Sequence, residues 1–390
     1  MLHLTEFEEC TYHKNAIPRF TKSGNTYTVE ATGTYAIGAF AAKTPLSAAE
    51  AEWLTAKVGI RQFGKGTRAM ALLLFYDAEG KKLQSDFLAA EGDAYAVSVK
   101  IPAGSAEAVL ELICYAFDGG ATFTAPTLTE AEPPRERSFR VAAAYIKREG
   151  SLEANLCAVN ELIDRAGKES EKPDIICFTE SVYDIAVTPR CFIKEASDVV
   201  DSVRESARRN AMYVLFTFHE EGEDGYLYNT ALLLSPTGET VGKYRKVQPT
   251  LGELKSGIAP GTEQPVFDLP FAKIGVLICW DQYFYETSRA LVRKGAEVIL
   301  WPSRGYHEER MLTRARDNGV YYVSIHPLAE RCCVAGPAGW RILARGEGES
   351  GYVTYRIDLN DRQISEYKSF GLNGGRDREI YLSELRSDFY

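Results

Sequence analysis

The stretch from Lys273 to Tyr283 constrains the fold of this chain more than any other part of it. Within it, Ile274 to Cys279 is a short, continuous apolar run, which is typical of a strand in a parallel sheet covered on both faces. A helical pattern follows and ends at Gly295, and a second apolar run covers Val298 to Trp301. The order strand, helix, strand predicts an open α/β sheet, in which ligands bind at the carboxyl ends of strands. Cys279 lies at such an end.

Cys279 has two interpretations. A cysteine at the end of a core strand is commonly a small buried apolar residue. A thiol at a strand-to-helix turn also lies near backbone amides and a helix N-terminus, and this environment lowers its pKa and favours the thiolate. The second interpretation predicts a nucleophile, provided that a base and a cation lie beside it.

Composition and charge exclude several classes of protein. The chain has 390 residues and a net charge of −9, without a basic stripe, which argues against nucleic acid and membrane surfaces as partners. No apolar run approaches the roughly 18 residues of a membrane span. The acidic N-terminus, Met1 to Cys10, has no apolar core, so we expect no secretory signal and a cytoplasmic location. Eight cysteines without a CxxC pair or zinc-type His spacing predict a reducing compartment, no metal and no cofactor.

The first third of the chain alternates short β-like runs with turn signals. This pattern predicts an antiparallel sandwich over residues 1–130, similar to the jelly-roll modules found beside many enzymes. Some such modules bind carbohydrate, so a carbohydrate partner is one hypothesis, and a structural or oligomerisation role with its aromatic residues in the core is the other. The five candidate strands are Thr26–Ala31, Thr67–Tyr76, Ala94–Ile101, Ala108–Phe117 and Thr122–Leu128.

The rest of the chain reads as a second domain. Residues 131–137 are charged and hold two prolines, a composition that predicts a linker. Residues 138–390 alternate apolar runs with helical patterns, which indicates parallel strands joined by helices. One of these runs, Pro173 to Glu180, ends on a carboxylate, and a predicted hairpin ends at Lys246. The sequence thus places a carboxylate, an amine and a thiol each at the end of a predicted strand.

Three blocks of the second domain carry a resemblance to a known family. They are Asp174–Glu180, the pair Tyr228–Ala231 and Gly242–Lys246, and Gly275–Asp281. By these blocks residues 138–390 resemble the nitrilase superfamily of carbon-nitrogen hydrolases. The resemblance implies an αββα four-layer sandwich, preceded here by the all-β jelly-roll-like domain. It also implies assembly into a homodimer or a larger oligomer.

The resemblance assigns roles to four residues. The family's catalytic glutamate, lysine and cysteine correspond to Glu180, Lys246 and Cys279, and a further glutamate corresponds to Glu253. A carboxylate takes the thiol proton and later activates water, while a lysine stabilises the negative charge of the tetrahedral intermediate. Without such company, Glu180 and Lys246 would be read as solvated residues.

Two residues after the cysteine extend the predicted site. The backbone amide of Trp280 is expected to be a second oxyanion donor. Asp281, together with acidic loop residues such as Glu308, is expected to hold a cationic end of the substrate, and a solvated role is the alternative.

The predicted reaction is hydrolysis of a non-peptide C–N bond, in an amide or an N-carbamoyl amine, through a thioester on Cys279. The run from Cys279 to Glu286 looks most like that of N-carbamoylputrescine amidases. The same residues also suit a nitrilase that attacks C≡N, and a catalytically silent binding or scaffold protein is the alternative from another class. Thr179 and Gln248 stand where the family commonly has proline and histidine, which leaves the branch open. The expected partner is a small amide, carbamoyl or nitrile compound.

Overall fold

The computed structural model describes residues 2–12, 15–46, 51–146, 151–184, 191–337, 341–361, 365–367, 371–373 and 381–382. The chain divides into two compact units. Unit 1 comprises Met1–Arg135 and Arg362–Tyr390, and unit 2 comprises Glu136–Asp361. No helix among the described residues is long and apolar enough to cross a membrane.

The N-terminal part of unit 1 consists of β-strands whose side chains alternate between a buried and a more exposed face, as the period of a strand requires. All five strands predicted in this part are present. The strands are β1 Glu8–Thr11, β2 Arg19–Ser23, β3 Thr26–Ala31, β4 Ala36–Pro45, β5 Trp53–Lys65, β6 Arg68–Tyr76, β7 Lys82–Phe87, β8 Ala89–Glu91, β9 Ala94–Lys100, β10 Glu107–Ala116 and β11 Asp118–Ala131.

These strands form two sheets that pack face to face. One has the order β1-β4-β10-β6-β7 and the other β2-β3-β11-β5-β9-β8, with antiparallel neighbours throughout. Side chains of both inner faces, among them Phe40, Leu73, Val58 and Phe123, share one apolar core. The architecture is therefore a β-sandwich, held together by burial of apolar surface between its sheets.

Unit 2 alternates strands and helices in its first half and again around Cys279. Its helices are amphipathic, and Ser151 and Ser197 cap the first two by accepting a backbone N–H. The elements are β12 Ser138–Tyr145, α1 Leu152–Gly167, β13 Ile175–Cys177, β14 Phe192–Ile193, α2 Asp198–Asn210, β15 Tyr213–Glu221, β16 Leu227–Leu234, β17 Thr240–Arg245, α3 Leu251–Lys255, β18 Val266–Asp268, β19 Lys273–Val276, α4 Tyr285–Arg293, β20 Val298–Pro302, α5 Glu308–Asn318, β21 Tyr321–Ile325, β22 Cys333–Ala335, β23 Ile342–Arg345 and β24 Gly351–Asp358.

The strands of unit 2 form two sheets with parallel centres. One has the order β17-β16-β15-β13-β12-β24, with β14 beside β15, and the other β18-β19-β20-β21-β22-β23. The inner faces of both sheets share a core that includes Val141, Leu215, Ile274 and Leu300. Helices α1 and α2 pack on the outer face of the first sheet.

Helix α4 lies against the outer face of the second sheet. A side chain at Gly275 in β19 would collide with Leu291 of α4, because an added Cβ would lie 2.9 Å from its Cδ1 atom. Helix α5 packs beside α4 and against β21, with Met311 and Ala315 buried. The predicted αββα four-layer sandwich is therefore confirmed.

The C-terminal segment differs from its predicted domain. Strands β25 Ser365–Tyr367 and β26 Gly371–Asn373 continue the first sheet of unit 1, where β26 lies parallel to β7. Residues 362–390 thus belong to unit 1, whereas the sequence analysis placed them with residues 138–361. Three-residue strands carry too little pattern to identify the sheet edge that they join.

Candidate active site

Three residues that are far apart in the sequence meet where strands of unit 2 end. Glu180 follows β13, Lys246 follows β17, and Cys279 follows β19. The side chains of Glu180 and Lys246 are both buried, and that of Cys279 is half-buried. Because the carboxyl ends of parallel strands converge on one edge, the alternating pattern of strands and helices accounts for this meeting.

Lys246 is the centre of the cluster. Its Nζ atom donates to Glu180 Oε1 at 2.9 Å and to Glu253 Oε1 and Oε2 at 3.1 and 2.9 Å. Only 1% of the lysine surface is exposed. A buried ammonium is tolerated only where it is paired and hydrogen-bonded, so two carboxylates hold this one in place.

Glu253 is fixed by the helix that carries it. It occupies the third position of α3, where its backbone N–H donates to Thr250 Oγ1 at 3.2 Å and its Oε2 accepts from the Thr250 amide at 2.7 Å. This reciprocal pair is a capping box. The carboxylate therefore reaches Lys246 from a rigid helix start.

Cys279 sits in a strained turn. Its φ is +45°, a left-handed conformation that costs a residue with a Cβ atom about 1–3 kcal/mol. Ser181, the residue after Glu180, has a φ of +50°. Trp301 holds the turn by donating from Nε1 to the Cys279 carbonyl at 3.0 Å. Strained positions of this kind concentrate at functional sites, and here one is the candidate nucleophile and the other directly follows the candidate base.

The thiol of Cys279 faces the loop after β20. The Ser303 side chain and the Gly305 backbone act to lower the pKa of this thiol, and the neighbouring Glu180 carboxylate raises it. A Cβ atom on Gly305 would lie 3.8 Å from the sulfur. The thiol is thus held between the base candidate and the loop Ser303–Gly305.

The Glu180 carboxylate is ionised over the physiological range. Burial alone would raise its pKa, but the charges of Lys246 and Arg304, the hydrogen bond from Lys246 and the nearby Cys279 thiol hold that pKa at about 2. The pKa of Glu253 is also lowered, because the charge of Lys246 and the hydrogen bonds from Asn229 and the Thr250 amide together outweigh burial and the repulsion from Glu180. Glu180 therefore meets the thiol as a proton acceptor.

The thiol of Cys279 does not have the lowered pKa that the sequence analysis predicted. Burial and the negative charge of Glu180 raise it to about 11, against the opposing effects of Lys246, Ser303 and Gly305. The prediction was wrong because it counted the turn and the lysine but not burial beside a carboxylate. The resting group is a neutral thiol whose proton must leave as the sulfur attacks.

A comparison with known families agrees with this arrangement. The sequence pattern of the carbon-nitrogen hydrolases matches residues 140–366, which is more than half of the chain. The chain belongs to the carbon-nitrogen hydrolase family. The match begins within β12, extends past the end of β24 and includes Glu180, Lys246, Glu253 and Cys279, and most of it lies in unit 2.

Two relatives share moderate sequence identity with this carbon-nitrogen hydrolase. A nitrilase from Pyrococcus abyssi (strain GE5 / Orsay) is 32% identical over 236 residues, which are 57% of this chain and 84% of that protein. An N-carbamoylputrescine amidase from Solanum tuberosum is 28% identical over 215 residues, which are 47% of this chain and 71% of that protein. The two names include two of the reactions that the sequence analysis left open.

A solved structure shares the fold. A double mutant of the amidase from Nesterenkonia sp. AN1, in complex with acrylamide, superposes with a TM-score of 0.52 at 20% sequence identity. The match covers 66% of this chain and 98% of that one. It supports the αββα architecture of unit 2.

Asp281 of this hydrolase does not have an exposed carboxylate that meets a substrate. It is completely buried, and its oxygens accept from the Tyr244 hydroxyl at 2.7 Å and from the backbone amides of Ile278 and Gln248 at 2.8 and 2.9 Å. Burial raises its pKa to about 6 in spite of these donors. Asp281 thus ties the nucleophile turn to the segment after Lys246, so the expectation that it binds a cationic substrate end fails.

Trp280 and Glu308 are both half-buried, whereas Asp281 is completely buried. Trp280 is half-buried and its ring stacks on Tyr283, with centroids 4.0 Å apart. Glu308 accepts from the Tyr306 hydroxyl at 2.5 Å and from Arg345 at 2.6 Å. The charge of Glu308 is therefore already compensated, and Trp280 presents an aromatic surface beside the nucleophile.

Asn229 is a site residue that the sequence analysis did not single out. Its Nδ2 donates to Glu180 Oε1 at 2.9 Å and to Glu253 Oε1 at 2.8 Å, and its backbone carbonyl accepts from the Lys246 amide at 2.9 Å. An uncharged amide thus bridges both carboxylates through the same Oε1 atoms that accept from Lys246 Nζ. The block Tyr228–Ala231 contained this residue, but a polar residue inside an apolar strand was the only signal.

We expect Asn229→Ala to lower the free energy of unfolding by about 1–3 kcal/mol, because two buried carboxylates lose a donor. Chemical denaturation measures this. Asn160 is a matched control, since its amide binds Ser202 and Ser206 at a half-buried position, and Asn160→Ala is expected to lose about 1 kcal/mol or less. Equal losses in the two variants would contradict a special role of Asn229.

Among the described residues no group of three His, Cys, Asp or Glu side chains is placed to hold a metal ion. In the cluster at Lys246 the negative charges are instead paired with the lysine, whose ammonium donates to Glu180 Oε1 and to both carboxylate oxygens of Glu253. What this arrangement offers chemically is a paired base and cation beside a thiol.

Proposed function

We propose that this carbon-nitrogen hydrolase cleaves a non-peptide C–N bond of an amide or an N-carbamoyl amine, through a thioester on Cys279. One observation carries the proposal: an ionised, buried Glu180 accepts a hydrogen bond from the Lys246 ammonium at 2.9 Å and lies near enough to the Cys279 thiol to raise its pKa. This is the arrangement of base, nucleophile and cation that covalent hydrolysis requires.

Acylation begins with the neutral thiol. Glu180 takes the proton of Cys279 while the sulfur adds to the carbonyl carbon, so no free thiolate has to form at a pKa of about 11. The electron pair of the C=O bond moves to oxygen and gives a tetrahedral oxyanion. When this electron pair re-forms the C=O bond, the C–N bond breaks, and Glu180 gives the proton to the leaving nitrogen. Ammonia or an amine departs, and a thioester remains.

The oxyanion needs a positive charge that persists through the reaction. Burial lowers the pKa of Lys246, but the charges of Glu180 and Glu253 raise it above its usual value, so the ammonium stays charged. Its attraction to the developing charge is strong because the site is buried. We assign the Trp280 amide as a second donor, since it directly follows the nucleophile. Glu253 acts through Lys246, whose position it fixes.

In deacylation water is the nucleophile and the Cys279 sulfur is the leaving group. Glu180 accepts a proton from water as the water oxygen attacks the thioester carbon. The tetrahedral intermediate then collapses, the C–S bond breaks, and the sulfur takes the proton back. The products are a carboxylic or carbamic acid and the restored thiol.

The names of the relatives support this choice of substrates in part. One relative is an N-carbamoylputrescine amidase, and the solved structure of similar fold is an amidase bound to acrylamide. Another is a nitrilase, and the same three residues suit attack on C≡N through a thioimidate. Nitrile hydrolysis therefore remains the alternative, and the test must include it.

The test is ammonia release from a panel of primary amides, N-carbamoyl amines and nitriles, combined with intact-mass detection of an acyl adduct. We expect release from amides or carbamoyl amines with an adduct on Cys279, and neither with Cys279→Ala. Cys157→Ala is the control, since that thiol is exposed on α1. Release from nitriles alone would transfer the assignment to a nitrilase. No turnover and no adduct across the panel would favour a silent binding protein.

Other predictions stay predictions. A homodimer or larger oligomer and a cytoplasmic location rest on the family resemblance and on composition. The sequence analysis extended the hydrolase domain to residue 390, whereas unit 2 ends at Asp361. A carbohydrate ligand of unit 1 would require exposed aromatic residues, and Tyr35 and Phe63 are 50% and 37% exposed whereas Phe87 is buried.

A further inference from the structure

Asp281 joins the two sheets of unit 2 at the edge where the site lies. It belongs to the short 3₁₀ helix Cys279–Tyr283, which follows β19 of the second sheet. Its Oδ2 atom accepts from the hydroxyl of Tyr244, a residue of β17 in the first sheet, at 2.7 Å. Both side chains are buried, with 0% and 1% of their surfaces exposed. The hydrogen bond between the two sheets is therefore shielded from water.

One end of this bridge holds the backbone that follows Lys246. Gln248, two residues after Lys246, donates its backbone amide to Asp281 Oδ1 at 2.9 Å. The amide of Val247, between them, donates to the hydroxyl oxygen of Tyr244 at 3.2 Å. The two backbone amides after the lysine thus end on the two side chains of the bridge.

The other end of the bridge holds the turn of the nucleophile. Asp281 Oδ2 also accepts from the backbone amide of Ile278, the residue before Cys279, at 2.8 Å. The Asp281 carbonyl oxygen accepts from Thr287 Oγ1 at 2.8 Å, and Thr287 lies in the first turn of α4. Asp281 is therefore anchored to a helix, and its carboxylate fixes the spacing between the nucleophile turn and the lysine segment.

This spacing matters because the reacting groups come from different sheets. Glu180 and Lys246 follow β13 and β17 of the first sheet, whereas Cys279 follows β19 of the second. The oxyanion forms on a carbon bonded to the sulfur, so the ammonium must lie close to that carbon. A misplacement of about 1 Å in such an arrangement can lower the rate about 10²-fold. The rate therefore depends on hydrogen bonds that cross between the sheets.

We propose that Asp281 and Tyr244 are positioning residues for the hydrolysis. Their hydrogen bond sets the distance between Lys246 and the Cys279 sulfur, and with it the stabilisation of the tetrahedral oxyanion. This inference rests on the proposed function and adds two residues that act through others. At pH 8, above its pKa of about 6, the Asp281 carboxylate is ionised, and hydrogen bonds to a charged acceptor are about twice as strong as neutral ones.

The first test is Tyr244→Phe, which removes the hydroxyl and retains a ring that packs in the core between the sheets. We expect kcat and kcat/KM for ammonia release at pH 8 to fall together by about tenfold, with KM within about threefold, because the lost interaction acts in the transition state. Rates are divided by the folded fraction from circular dichroism, so a loss of folded protein does not count as a loss of kcat.

The second test is a double-mutant cycle. Asp281→Asn keeps the size of the side chain but presents an NH₂ group, which cannot accept, to one of three donors. We expect kcat to fall about 10²-fold at an unchanged KM. Because both residues act through one hydrogen bond, adding Tyr244→Phe to Asp281→Asn should lower kcat by no more than about threefold further.

Tyr321→Phe is the matched control. The Tyr321 hydroxyl donates to the Asp358 carbonyl at 3.1 Å, which also joins the second sheet to the first, and Tyr321 is 6% exposed. Tyr321 begins β21, which is parallel to β20 and β19, and Asp358 pairs with the first residue of β12. This bridge therefore lies at the opposite end of the strands from Cys279. We expect kcat of Tyr321→Phe to stay within about threefold of the original chain.

The outcomes are distinguishable. A Tyr244→Phe variant that keeps kcat within about threefold, or equal losses in Tyr244→Phe and Tyr321→Phe, would overturn this inference and leave the hydrolase assignment intact. Losses of Asp281→Asn and Tyr244→Phe that multiply in the double variant would also overturn it, since the two residues would then act independently. Failure of the original chain to act on any amide, carbamoyl amine or nitrile would overturn the proposed function and this inference with it.

Discussion

Replacing Glu180 by glutamine should lower kcat for amide hydrolysis by roughly 10²- to 10⁴-fold, the usual contribution of a positioned general base. The resting thiol has a pKa of about 11, so at neutral pH almost none of it is thiolate without a proton acceptor. Glutamine retains the shape and can still bind Lys246 through its oxygen, but it cannot take the proton. Steady-state ammonia release from the substrate identified in the panel measures the loss.

The same variant separates a chemical role from a structural one. The negative charge of Glu180 raises the pKa of Cys279, so its removal should lower the pH midpoint of Cys279 alkylation while turnover falls. Opposite movement of the two readouts is not expected from local unfolding. Glu221→Gln is the control, since that carboxylate is exposed at the end of β15. Turnover within about threefold of the original chain, or a midpoint that moves upward, would contradict the assignment of Glu180 as base.

Much of the site was accessible from the sequence because it depends on strand ends. Apolar runs that stop on a charged or nucleophilic residue predicted where Glu180 and Cys279 lie, and a predicted hairpin placed Lys246 at its end. The family resemblance predicted that the three residues meet. Glu253 came from the resemblance alone. The structure adds the reason for its place, a capping box that points its carboxylate at Lys246.

The errors have a common physical origin, which is burial. Asp281 is next to the nucleophile in sequence, and nothing in a one-dimensional pattern shows that Tyr244 and two backbone amides surround its carboxylate. The raised pKa of Cys279 has the same cause, because desolvation depends on neighbours from other strands. Charge and residue type are visible in a sequence, but the dielectric environment is not.

Sequence patterns predicted some strands of unit 1 correctly and missed others. β3 coincides with its prediction, since it alternates threonine with tyrosine and valine. β4 was missed because it is rich in alanine and glycine, residues with low strand propensity, and β5 was missed because its second half is exposed and charged. In both strands the neighbouring strands, rather than local propensity, decide the conformation.

Lys246→Met should lower the free energy of unfolding by about 3–5 kcal/mol at neutral pH, because two buried carboxylates lose their shared cation. The pH dependence should also reverse. In the original chain the folded pKa of Glu180 is about 2, below its usual 4.5, so its stabilisation is present above pH 4.5 and is lost as pH falls towards 2. Without Lys246 burial raises the folded pKa of both carboxyls above the unfolded value, so the variant loses stability as pH rises.

Chemical denaturation at several pH values measures this reversal, with the gap between variant and original chain small near pH 4 and largest at pH 7 and above. Lys243→Met is the matched control. Lys243 lies three residues earlier and also binds two carboxylates, Glu195 and Glu220, but it is 35% exposed and Glu220 keeps Arg245 as a partner. Its loss should therefore cost about 1 kcal/mol or less. A Lys246→Met variant that loses no more than this, or whose loss is independent of pH, would show that the buried ammonium does not hold the two carboxylates in their ionised form.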